Sequence, residues 1–277
     1  MDAAEFLQCR SALGAAAGRS GDLIRAVDDM RLPVPGSAWT VGEAAAHLVI
    51  GLRGYTDAAC GEAKQWLELT PPAGSYSERV TGLNALTVAA EPERDPAGAA
   101  EAIAGGVGEF LAATEPLGPS EAIPTPWYAE EATLSVAEAT ALLLGEQLVH
   151  GHDIARAGGR TPQWPIPPEE ARLALRGVPP MMSLAADPVR VAGLTATYQV
   201  RIGRVPAFVV RVADGKVVAE PVGSQPVDCY LAADPVALLL VGYGRMSQWR
   251  AVARGDLLAW GRRPWLGLRF KSLFVNP

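Results

Sequence analysis

Along the first 160 residues apolar positions recur every three to four places; after residue 193 they alternate every second place. The first period is that of helices packed on a core, the second that of half-buried strands. Residues 3–31 form an alanine-rich amphipathic stretch that Pro33, Val34, Pro35 and Gly36 should stop. Thr40 followed by Glu43 has capping-box spacing, which predicts a helix from Val41 to about Trp66. Residues 70–77 (TPPAGSYS) read as a loop, and a third helix is expected from Pro96 to Thr114. Pro119, Pro124 and Pro126 make 117–133 loop-like. Ser135 with Glu138 then opens a fourth long helix that ends near Gly158 and Gly159. Four long helices joined in this way predict a bundle with one or two elongated connections.

A proline-rich stretch follows (161–170, TPQWPIPPEE), then a short helix to Gly177 and a hinge at 178–180 (VPP). TATYQVRIG and AFVVRVADGKVVAEPV read as strands, the second folding back at Asp214-Gly215, a strong hairpin signal. VDCYLAA is a further strand, DPVALLLVGYG a short helix and DLLAWG a late strand. Residues 263–275 (RPWLGLRFKSLFV) look like a closing amphipathic helix. The expected fold class is therefore multidomain: a helical bundle over 1–180 and an α+β domain over 181–277.

Length and composition agree with this division. The 277 residues, 49% hydrophobic, suffice for two ordinary cores. Residues 1–160 hold 22 acidic and 10 basic side chains, for −12; residues 161–277 hold 8 and 14, for +6. The basic residues are scattered through strands and turns without an aromatic-laced stripe, which argues against a nucleic-acid partner. No apolar run of about 18 residues is present, so no membrane partner is expected. Cys9, Cys60 and Cys229 are odd in number and far apart, as reduced thiols would be. With an acidic start that lacks a secretory pattern, they point to the cytoplasm. Oligomeric state is left open.

The chemistry gathers in residues 141–153, ALLLGEQLVHGHD. Only three histidines occur, His47, His150 and His152, and two of them are here. At about 100° per residue, Glu146 and His150 share a helix face some 40° apart, and Asp153 falls within roughly 20° of Glu146. His152 points nearly the other way. An ionised carboxylate among leucines must be compensated by an arginine, a proton or a metal ion. E-x-x-x-H on one helix offers two ligands to a common point, and a divalent ion needs at least a third. The remaining histidine is His47, on the second predicted helix. A core histidine satisfied by hydrogen bonds is the competing reading. Asp153, three places beyond His150, could fix that imidazole through its other nitrogen. Trp39 reads as a packing anchor before the helix cap.

The segments SAWTVGEAAAHLV and GEQLVHGHDIARAGGR resemble the two signature stretches of the mycothiol-dependent maleylpyruvate isomerase family, within the DinB-like superfamily. Trp39, Thr40, Val41, Glu43 and His47 match the first motif; Glu146, His150, Gly151, Asp153, Ile154 and Ala155 match the second. The resemblance implies a DinB-like four-helix bundle with a divalent metal, usually zinc, on His47, Glu146 and His150. Such an ion can hold a thiol as its nucleophilic thiolate at neutral pH. The family implies that the thiol is mycothiol, a cosubstrate, and that the partner is a small, unsaturated, carboxylate-bearing electrophile. Isomerisation and S-transfer are both open outcomes. The order of elements after about Leu194 resembles the sterol-carrier-protein-like fold, which family members often carry. In the family an arginine of that domain is thought to hold the substrate carboxylate, and Arg245 in GYGRMS is the candidate here. A hydrophobic-ligand or lipid binder with a structural metal is the alternative; a metal-dependent hydrolase is a more distant one.

Overall fold

The computed structural model describes residues 1–71, 74–91, 95–159 and 163–275. Pro72 and Ala73 of the expected loop, and Thr161 and Pro162 of the proline-rich stretch, lie outside them. The chain divides into two compact units, Met1–Gly177 and Val178–Pro277.

In the first unit α1 (Ala3–Arg25), α2 (Val41–Ala59), α5 (Pro96–Ala113) and α6 (Val136–Ala157) form the bundle, α1 and α2 each packing on α5 and α6. Leu13, Ile24, Leu48, Leu52, Ile103, Phe110, Leu143 and Leu148 fill its interior. The helix starts are where the caps put them. Thr40 and Glu43 hold each other's backbone amides at α2, and Ser135 and Glu138 do so at α6.

Several details differ from the sequence pattern. Helix α1 ends at Arg25, short of residue 31. Helix α2 stops at Ala59 because Gly61 takes a positive φ of 82°, and Trp66 belongs to a separate short helix, α3 (Lys64–Leu69). An unexpected helix, α4 (Tyr76–Ala90), starts from a third capping box, Ser75 with Glu78. The expected loop at 117–133 contains a small antiparallel pair, β1 (Ala122–Pro124) with β2 (Thr133–Ser135), in which buried Ile123 faces buried Leu134. After α6, α7 (Pro168–Ala174) packs back on α1 and α6, and Arg172 and Arg176 both reach Glu5 Oε1 at 2.8 Å.

The second unit opens with α8 (Val178–Leu184), where a hinge was expected. Pro179 and Pro180 sit in its first turn, where a missing amide hydrogen costs nothing. After α9 (Pro188–Val191) come β3 (Ala196–Ile202), β4 (Val205–Ala213), β5 (Lys216–Glu220), β6 (Cys229–Ala233) and β7 (Leu257–Trp260), in the order β5-β4-β3-β6-β7. Only β3 and β6 run parallel. Asp214 (φ 52°) and Gly215 (φ 71°) make the β4–β5 turn, the left-handed pair that a two-residue hairpin favours. Tyr198, Val200, Val210, Leu231 and Leu273 belong to its core. Between β6 and β7 lie α10 (Pro235–Gly242) and α11 (Gln248–Arg254). The closing segment is not one helix: a 3-10 turn (Pro264–Leu266), α12 (Gly267–Phe270) and a second 3-10 turn (Lys271–Leu273) replace it. Gly267 lies so close to β7 that a Cβ there would be 2.5 Å from that of Ala259. No helix among the described residues is long and apolar enough to cross a membrane.

Candidate metal centre

Helix α2 carries His47 inward about a turn and a half past its cap, and α6 carries Glu146, His150 and Asp153 on one face. These two helices pack directly, so residues about a hundred positions apart in sequence meet. His47 Nε2 is 3.1 Å and His150 Nε2 3.2 Å from the same oxygen, Glu146 Oε2. All three potential ligand atoms lie within 4.8 Å of one another. Among the described residues this is the group of histidine, cysteine and carboxylate side chains close enough to share an ion. His152 is half-buried and is not part of it.

Electrostatics bind the cluster together. Burial opposes ionisation of Glu146, but hydrogen bonds from His150 and His47 and their charges hold its carboxyl well below the usual carboxylate range. Burial also opposes a charged imidazole at His150. Hydrogen bonds to Asp153 and Glu146 outweigh it and push His150 up to about 9. Its Nδ1 is 3.3 Å from Asp153 Oδ2, a carboxylate only 1% exposed. A carboxylate oxygen thus lies within 3.3 Å of each ring nitrogen of His150. Trp39, half-buried at the foot of α2, lays its ring against both imidazoles, with centroids 4.8 Å from His47 and 5.7 Å from His150. The Glu146 side chain is still 27% exposed and that of His47 15%, so solvent-borne groups can reach the ligand atoms.

The turn between β1 and β2 adds groups that sequence spacing did not single out. Tyr128 in that turn shares a 2.7 Å hydrogen bond with Tyr55 of α2, and Tyr76 of α4 lays its ring 5.8 Å from that of Tyr128. Burial raises the pKa of each phenol, and the Glu146 carboxylate adds to the rise. Tyr128 is pushed to about 12. Arg79 of α4 donates to Pro126 O at 2.7 Å, which ties the turn to the helix. The three tyrosines come from three segments with no common period; the one local cue is Tyr55, eight residues after His47 on the same helix.

Arg245 belongs to the second unit, in the turn after α10, where its Nη1 donates to Tyr243 O at 2.7 Å.

Two histidines and a glutamate from two packed bundle helices form the centre. The family model described as the mycothiol maleylpyruvate isomerase N-terminal domain matches residues 13–155, more than half of the chain. The chain belongs to this family. The matched span of the isomerase family model contains Trp39, His47, Glu146, His150 and Asp153. Among solved structures, a mycothiol-dependent maleylpyruvate isomerase carrying a histidine-to-alanine substitution is similar over 92% of both chains, at 12% identity and a TM-score of 0.51. At that identity the likeness concerns the fold, helices followed by a mixed α+β part. A second structure of the mycothiol-dependent isomerase shows 13% identity, the same coverage and a TM-score of 0.49. No curated protein matches the chain.

Proposed function

We propose that this chain is a divalent-metal-dependent, mycothiol-using enzyme, an isomerase or S-transferase acting on a small unsaturated electrophile. The observation that carries the reading is the convergence of His47 Nε2 and His150 Nε2 on one oxygen of Glu146, at 3.1 and 3.2 Å. Ligand bonds of about 2.1 Å in a tetrahedron require ligand atoms some 3.3–3.4 Å apart. The two separations from Glu146 come close to this, the two imidazole nitrogens lie within 4.8 Å of each other, and two imidazoles with one carboxylate are a donor set that suits zinc. His47, Glu146 and His150 would hold the ion, and three protein ligands leave a position for an exogenous group.

Bound there, a divalent ion would favour the thiolate form of mycothiol, a nucleophile for an electron-poor double bond. The protein's own groups prepare that event. Asp153 orients the His150 ring so that Nε2 points at the shared locus. Trp39 covers both imidazoles on one side and limits the approach of water. Arg245 is assigned the substrate carboxylate, which a guanidinium can bind through two parallel hydrogen bonds.

Metal analysis tests the reading, together with calorimetric titration of mycothiol with and without a chelator. One equivalent of divalent metal per chain is expected, lost in His47→Ala and in Glu146→Ala, with mycothiol binding that disappears with the metal. A wild-type protein that stays empty after remetallation, or binds mycothiol equally well in chelator, overturns it.

A further inference from the structure

We propose that the Tyr55–Tyr128 hydroxyl pair donates a hydrogen bond to the substrate oxygen on which negative charge develops when a thiolate adds to the bound electrophile. This inference rests on the thiol-using function above and adds the group that stabilises the reacting oxygen.

Two phenols carry two O–H hydrogens, and their 2.7 Å contact uses one of them. One phenolic hydrogen is therefore left over. Among the described residues no acceptor takes it, whichever way the shared hydrogen bond runs. On half-buried Tyr128 that hydrogen is open to an incoming ligand oxygen. The pair stands about two turns along α2 from His47, since Tyr55 follows it by eight residues on the same helix and holds Tyr128. The phenols are also fixed in place. Tyr55 packs edge-on against Trp127, which also meets Trp66 edge-on, and Tyr128 is held between Trp127 and Tyr76. Donors that need no reorganisation at the moment of reaction are what a developing oxyanion requires.

The step balances without another reagent. The thiolate sulfur forms a bond to the β-carbon of a double bond conjugated with a carbonyl, and the π electrons move to the carbonyl oxygen as an enolate. The surplus O–H hydrogen-bonds that oxygen but keeps its proton. What was the double bond is now single and can rotate. Return of the electrons re-forms the double bond and expels the thiolate, giving the other geometric isomer.

Maleylpyruvate, named for the similar solved structures, is the probe, with metal-loaded protein and mycothiol. In Tyr55→Phe/Tyr128→Phe, kcat should fall about a hundredfold, as on losing an oxyanion donor. KM, metal stoichiometry and mycothiol affinity should stay within about threefold of wild type. Tyr128→Phe alone removes the half-buried member and gives a smaller fall in the same direction should the double variant not fold. Turnover in these variants within threefold of wild type overturns the inference. So does a loaded, mycothiol-binding wild type that leaves maleylpyruvate unchanged; in both cases the metal and thiol reading stands. If metal or mycothiol does not bind wild type, the proposed function itself fails, and calorimetry shows that separately from the kinetics.

Discussion

Asp153 places a fully buried carboxylate oxygen 3.3 Å from the Nδ1 of His150. Such an arrangement fixes ring orientation and raises ligand basicity, and its loss commonly weakens metal binding by about 10–100-fold. Asp153→Asn keeps the volume but removes the charge, so metal affinity measured by competition with a chromogenic chelator should fall within that range. Glu5 illustrates a structural use of charge. Burial would raise its pKa, but hydrogen bonds from Arg172 and Arg176 bring it from 4.5 down to about 2. A carboxylate with a depressed folded-state pKa stabilises the protein above its unfolded pKa, and that stability is lost as pH falls. The window here runs from about 4.5 down to about 2. Partial exposure screens the pair, so Glu5→Gln should cost roughly 1 kcal/mol at pH 7. Urea titrations of that variant should show less additional loss than wild type between the two pH values. The meeting of His47, Glu146 and His150 was legible in the sequence because a chain with three histidines places one of them a single turn from an inward glutamate. The tyrosines were not, because three unrelated segments supply them and only the fold joins those segments.

At the level of elements, what could be read depended on how much of a segment is buried. Helix α6 is buried along most of its length and begins with a capping box, so its start and its inward face were both visible. Helix α4 buries only Leu83 and Val88, too thin a stripe to show a period, so 70–77 reads as a loop despite the Ser75–Glu78 spacing. The three-residue strands β1 and β2 are too short for alternation to register among prolines. The glycine of the second motif has a packing explanation that appears only once the chain is folded. A Cβ on Gly151 would lie 2.0 Å from the Trp164 ring, whose Nε1 donates to Leu148 O at 3.1 Å. Gly151→Ala must displace the indole or the helix turn that carries His150. We expect a loss of about 1–3 kcal/mol, typical of overpacking, together with weaker metal binding. Thermal melts with and without metal would separate the two effects. Thr40→Ala, which removes the cap below His47, should cost about 1 kcal/mol.

Across the whole molecule, the cluster of His47, Glu146 and His150 lies within the helical unit. A bound ion should therefore stabilise the helical unit selectively. At a free concentration a hundred times its Kd, an ion that binds only the folded form contributes about 2.7 kcal/mol. For a unit of this size that corresponds to a rise in Tm of roughly 5–10 °C. Differential scanning calorimetry should show the helical transition moving with added zinc and returning with chelator, while the transition of the sheet-containing unit stays in place. His47 and Glu146 stand 99 positions apart, in a chain whose three cysteines all remain as thiols. An ion between them would be a removable crosslink, closing in one step a loop whose ends are otherwise gathered only by packing. Metal supply would then govern how long the protein survives proteolysis as well as how fast it turns over.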